Sequence, residues 1–128
     1  MSGKFVITKT PKDFYRFSLL AANYVTVLTS KNYSTLRTCR EGIETIKTNA
    51  LAPVSDLTLT NTPDQKFPKY EVYLDTSGLF RFRLLALNGL NIAMAEEGYV
   101  SKDSCLKGIE AIGRAIKKAT IDETALKS

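Results

Sequence analysis

The sequence predicts an α+β fold: two tandem β(3)-α-β repeats that form one largely antiparallel sheet with both helices on one face. The first observation behind this is an internal repeat. The segment from Lys4, laid over the segment from Lys69, places Lys4, Arg16, Phe17, Leu19, Leu20, Ala21 and Asn23 on Lys69, Arg81, Phe82, Leu84, Leu85, Ala86 and Asn88. One residue is then inserted in the second copy. After it, Tyr33, Cys39, Gly42, Ile43, Glu44 and Ile46 fall on Tyr99, Cys105, Gly108, Ile109, Glu110 and Ile112. Matches spread this evenly, with a single gap, mark two copies of one unit. The second observation is a change of period within each copy, from the alternation of strands to the spacing of a helix. The third is that one amphipathic helix cannot bury a whole sheet face, so the copies must share a core. Residues 3–62 form repeat 1, residues 68–126 form repeat 2, and the proline-flanked stretch 63–67 reads as the linker.

Each copy opens on a short run rich in β-branched and aromatic residues, "KFVITKT" and "KYEVYLD". Turn chemistry follows at Pro11-Lys12-Asp13 and Thr76-Ser77-Gly78. The second strand alternates: Tyr15, Phe17, Leu19 and Phe80, Phe82, Leu84 share one face, with Arg16, Ser18, Leu20 and Arg81, Arg83, Leu85 on the other. Asn88-Gly89 predicts a tight hairpin in which both residues tolerate positive φ, leading into third strands at "VTVLT" and "NIAMA". Helices follow. Leu36, Cys39, Ile43, Ile46 and Ala50 recur at helical spacing, as do Cys105, Ile109, Ile112 and Ile116. Thr35 and Ser101 sit where an N-cap oxygen belongs. Gly42 and Gly108 fall mid-helix, at about 1 kcal/mol against Ala, which predicts close packing there. A last extended piece closes each copy, at "VSDLTLT" and "ATIDET".

Composition narrows the function. The 128 residues suit a single domain, and no apolar run approaches a bilayer-spanning length. The beginning of the chain has no long apolar segment before a small-residue cleavage site, so the cytoplasm is the expected location and no membrane partner is expected. Histidine is absent, which removes Ser-His-Asp and Cys-His catalysis and histidine-ligated metals. No cofactor and no metal site is expected. Cys39 and Cys105 occupy equivalent apolar helix positions and read as small buried hydrophobes. A formal charge of +5 favours approach to polyanions without specifying one.

With "FRFRLLALNG" at 80–89 and "EGYVSKDSCLKGIEAI" at 97–112, the chain resembles the YegP-like family of bacterial tandem-repeat proteins of unknown function. The second copy follows the family pattern nearly throughout, with Lys107 where Asn is common. The first departs at Ser18, Tyr24, Asn32 and Glu41. The resemblance implies that the final strands are exchanged between the units, and that a tandem chain closes internally the pair that one-repeat members would form as dimers. A monomer with intramolecular repeat pairing is therefore expected. The family carries no established activity.

Candidate site residues lie on the sheet face away from the aromatic core. Arg16, Tyr73, Arg81 and Arg83 can form a basic open face that contacts phosphates or stacks with bases, in the manner of sheet-surface RNA binders. The plainer reading is a solvated face whose arginines pair across strands with Glu71 or Asp75. Arg40 is four residues from Glu44, and Glu110 four from Arg114, so helix-surface pairs are expected. Tyr33 and Tyr99 precede the N-caps as hydrophobic staples. The reading is a non-catalytic binding or interaction module using the open sheet face or sheet edges, its partner a protein or a nucleic acid. A basic-face polyanion binder is the alternative, and a small carboxylate- or Tyr-dependent enzyme is a third. The second copy, with both arginines, is the half expected to carry a site.

Overall fold

The computed structural model describes residues 3–59 and 65–127. Residues 60–62 of the predicted first repeat, and 63 and 64 of the predicted linker, lie outside that range. The first unit contributes β1 (Lys4–Lys9), β2 (Tyr15–Leu20), β3 (Thr26–Ser30), α1 (Leu36–Asn49) and β4 (Val54–Asp56). The second contributes β5 (Lys69–Leu74), β6 (Phe80–Leu85), β7 (Asn91–Met94), α2 (Lys102–Ala115) and β8 (Thr120–Asp122), followed by a 3₁₀ turn at Thr124–Lys127. The predicted final strands are only three residues each. β4 and β8 end where Asp56 and Asp122 accept hydrogen bonds from the amides of Thr58 and Thr124, both at 2.9 Å, turning the chain out of the sheet.

The β6–β7 hairpin differs from the expected two-residue turn. The Gly89 amide donates to the Ala86 carbonyl at 2.8 Å, and only Gly89 has positive φ (81°). This is a three-residue loop with its last residue left-handed, a form that suits the strand twist. The Asn88 side chain accepts from the Leu90 amide. Repeat 1 builds the same loop, but the left-handed position holds Tyr24, at φ 67°.

Thr35 and Ser101 cap the helices as predicted, accepting from the amides of Thr38 and Ser104. Tyr33 and Tyr99 do more than precede the caps. Backbone bridges tie them to Tyr15 and Phe80, with N···O distances of 2.7–2.8 Å. Their rings stack on Phe17 and Phe82, at centroid separations of 6.2 and 6.3 Å. A Cβ on Gly42 or Gly108 would run into the Tyr33 or Tyr99 hydroxyl. The mid-helix glycines therefore let α1 and α2 settle onto a tyrosine–phenylalanine stack.

The sheet order is β4-β5-β6-β7-β3-β2-β1-β8. All neighbours are antiparallel except β4 with β5 and β8 with β1. The last strand of each repeat thus pairs with the first strand of the other, as the family resemblance implied. At the centre, β3 meets β7 through only Thr29↔Met94 and Ser30↔Ala93. One face of the sheet is dry. Phe5, Ile7, Phe17, Leu19, Leu28, Tyr70, Val72, Phe82 and Leu84 lie fully buried beneath Cys39, Ile43 and Ile46 of α1 and Cys105, Ile109 and Ile112 of α2. Each such side chain contributes roughly 1.5–3 kcal/mol by burial.

The exchanged strands are clasped by the opposite repeat. Lys102, at the start of α2, lies 2.9 Å from Asp56 of β4. Arg40 of α1 reaches Glu123, just past β8, through two hydrogen bonds of 2.8 and 2.6 Å. This replaces the predicted Arg40–Glu44 pair, and no ion pair joins Glu110 to Arg114. The strands dock one residue apart in register, Val54 opposite Tyr70 but Thr120 opposite Lys4. A one-residue slip exchanges faces, so Asp56 meets a helix whereas Asp122 turns to the open face, 3.3 Å from Lys4 Nζ.

Two outcomes follow. The Thr124 hydroxyl and amide, then Lys4, hold the Asp122 carboxyl down at about 2. A depressed carboxyl stabilises the fold above its unfolded value, near 3.8, and that contribution fades as pH falls towards 2. Carboxyl NMR titration should find this low midpoint, Thr124→Ala should raise it, and Asp122→Asn should flatten the loss of stability between pH 4 and 2. Relieving the left-handed tyrosine, Tyr24→Gly should raise stability by about 0.5–1 kcal/mol in urea unfolding, while Gly89→Ala should lower it by about 1 kcal/mol.

Candidate functional site

With both helices on one side, the other face of the sheet stays open. The strand registers run a row of side chains across it: Val6, Ser18, Thr29, Met94, Arg83 and Glu71. The pseudo-twofold axis passes between Thr29 and Met94, so the repeat-1 and repeat-2 halves present equivalent positions with different residues.

On the repeat-2 half, charges are matched. Arg83 Nε donates to Glu71 Oε1 at 2.8 Å, and its guanidinium lies 4.6 Å from the centre of the Tyr73 ring. Glu71 also meets Lys69 Nζ at 3.2 Å, and Lys69 is only 3% exposed. Arg81 Nε donates to Asp75 Oδ2 at 2.8 Å. Asp75 further accepts from the amides of Ser77 and Leu79. The Arg81 hydrogen bond, followed by that from the Leu79 amide, holds the Asp75 carboxyl below its usual range. Three of the four predicted residues therefore cluster, and they do so as the cross-strand ion pairs that the sequence offered as one reading.

The fourth is elsewhere. Arg16 lies on β2, three strands from β6 and so about 14 Å across the sheet. It is exposed, and among the described residues neither it nor Lys12 has an ion-pair partner. The cause can be read position by position. Val6 stands where Glu71 stands, Thr10 where Asp75 stands, and Ser18 where Arg83 stands. The Thr10 hydroxyl takes over the turn-capping role, accepting from the Phe14 amide at 3.1 Å, but it offers Arg16 no charge. Lys9 and Lys12 replace Leu74 and Ser77. Lys9 is held loosely, 3.6 Å from exposed Asp13 and over the Tyr15 ring.

Shape changes with charge. In repeat 2, Leu79 folds onto Gly98 so closely that a Cβ there would sit 2.6 Å from the Leu79 Cβ. Repeat 1 has Asn32 in place of Gly98 and Phe14 in place of Leu79. The Asn32 side chain denies the inward packing, and Phe14 remains 38% exposed. A groove of about 720 Å³ opens here, lined by Lys9, Lys12, Phe14, Arg16 and Asn32. That size falls within the range of small-ligand sites, roughly 300–1,000 Å³.

The family model described as a domain of unknown function (DUF1508) matches residues 12–56 and 75–123, one match in each repeat. The chain belongs to this family. A UPF0339 protein of Pseudomonas aeruginosa is 27% identical over 123 residues, covering 96% of this chain and 98% of its own length. A UPF0339 protein of Methanosarcina acetivorans is 47% identical over 53 residues, which make up 90% of that relative but 41% of this chain. It is one repeat long. The solution structure of yegP from Escherichia coli, a protein of unknown function, superposes with a TM-score of 0.78 at 26% identity, covering 97% of this chain and 94% of that one. The fold is thus the YegP-like fold of the family.

Elsewhere, reactive groups are closed off. Cys39 and Cys105 are buried, and burial pushes both thiols up to about 11. No group of three or more Cys, Asp or Glu side chains comes together among the described residues. No described helix is long and apolar enough to cross a membrane. Sequence reading passed over Lys9, Lys12, Phe14 and Asn32. The signal that exposes them is the set of mismatches between the copies, not the matches.

The two halves should respond differently to alanine. Arg83→Ala removes a charge-assisted hydrogen bond and the guanidinium over Tyr73, and should cost about 1 kcal/mol in urea unfolding. Arg16→Ala should stay within about 0.5 kcal/mol of the parent.

Proposed function

We propose that the protein is a non-catalytic binding module that takes up an anionic partner on the repeat-1 half of its open sheet face. The observation that carries this is the groove between the β1–β2 hairpin and Asn32, where Lys12 and Arg16 are exposed and have no ion-pair partner among the described residues. Unneutralised cations in a concave setting raise the local concentration of anions. The same positions in repeat 2 spend their charge internally, so Arg81, Arg83 and Tyr73 serve the sheet. The carboxylates with shifted acidity sit in hydrogen bonds and ion pairs, and the thiols lie in the core, which favours recognition over chemistry. The exchanged strands pair with β1 and β5 within the one chain, which supports a monomer. The free buried thiols suit a reducing compartment, and we place the protein in the cytoplasm.

Fluorescence anisotropy with a labelled heparin oligosaccharide in 50 mM salt provides the test. The parent should bind, Lys12→Glu/Arg16→Glu should weaken binding tenfold or more, and Arg81→Ala should match the parent within about twofold. Absence of binding at that salt, or parent-like binding by the double variant, overturns the reading.

A further inference from the structure

A bare cluster of cations would not need an aromatic wall, and this groove has one. Phe14 lines it together with Lys9, Lys12, Arg16 and Asn32. Its exposure has a local cause, since the repeat-2 counterpart Leu79 packs down on a glycine that repeat 1 lacks. Two changes that did not have to occur together, loss of the carboxylates and exposure of a ring, meet in one place. Sulfated sugars and acidic peptides match the cations but have no flat π-face for Phe14. A base-paired duplex buries its faces in its own stack. A single strand offers both phosphates and unstacked bases, and stacking on aromatic side chains tolerates any base.

We propose that the groove binds single-stranded nucleic acid, with Lys12 and Arg16 on the phosphates, one base stacked on Phe14, and the Asn32 amide at the base edge or backbone. This rests on the anion-binding reading above and names its ligand. Two phosphate contacts predict a slope near −1.4 for log affinity against log salt, so a fourfold rise in salt should weaken binding roughly sevenfold.

Four probes in anisotropy at 50 mM salt decide the matter: a mixed-sequence 12-nucleotide single strand, its blunt duplex, a heparin oligosaccharide and poly-glutamate. Phe14→Leu, which installs the repeat-2 residue type, should weaken the single strand fivefold or more while leaving heparin within about twofold. The chain has no tryptophan, so Phe14→Trp supplies a lone reporter that the single strand should quench and heparin should not. Heparin bound but Phe14→Leu without selective effect, or Phe14→Trp unquenched by the single strand, overturns the inference and leaves the anion site standing. Duplex or poly-glutamate bound as tightly as the single strand also overturns it. Loss of both heparin and single-strand binding removes the anion site itself.

Discussion

Neither repeat can finish its own sheet. The last strand of each is hydrogen-bonded to the first strand of the other, and everything else in the molecule is arranged around that exchange. The central β3–β7 contact is a two-residue seam and could not hold the halves in register alone. The exchange adds a short parallel strand at each end of the sheet. The shared core binds the middle, with α1 packed over β2 and reaching β7, and α2 over β6 and reaching β3. The clasps follow the same logic, Arg40 with Glu123 and Lys102 with Asp56 each joining a helix of one repeat to the tail of the other.

Once the fold is secured by burial on one side, the opposite face is released from that task. The core positions of the two copies have stayed close, Phe17 with Phe82 and Ile46 with Ile112, because each fills a closely packed space. The outward positions have diverged. Between residues 4 and 20 there are four basic residues and one acidic; between 69 and 85 there are three and two. Repeat 2 turns its charges inward on one another, while repeat 1 has Val6 and Thr10 where Glu71 and Asp75 stand, Lys9 and Lys12 where Leu74 and Ser77 stand, and Asp13 as its one acid in this stretch. The modest excess charge of the chain is therefore locally concentrated.

How far this was legible in the sequence depends on the range of the interaction. Alternation in β2 and β6, the capping residues Thr35 and Ser101 and the paired core positions are local or repeated signals, and they could be read directly. The strand exchange came through family resemblance, because nothing local distinguishes a swapped three-residue strand from one that returns to its own sheet. Helical spacing pairs Arg40 with Glu44, its neighbour on the helix, but its partner Glu123 lies 83 residues away. The stack of Tyr33 and Tyr99 under the helices is not a local signal, because the space their rings fill is created by glycines nine residues later. The open-face residues were legible as a set, Arg16, Tyr73, Arg81 and Arg83, but not their partition. That required knowing that Asp75 reaches Arg81 and that Thr10 cannot do the same for Arg16.

Duplication within one chain has a consequence that self-association lacks. A single repeat that paired with a copy of itself would present the same face twice, since a twofold interface repeats every residue. A change that opened a groove by placing Asn beside Phe would then act at both ends, and removing the carboxylates would leave two uncompensated basic corners. In the fused chain, the repeat-2 corner keeps Leu79 against Gly98 and Asp75 on Arg81. The repeat-1 corner can exchange ion pairs for open surface without weakening its counterpart. The asymmetry between Arg81, which is held by Asp75, and Arg16, which has no ion-pair partner among the described residues, is the form such a division takes.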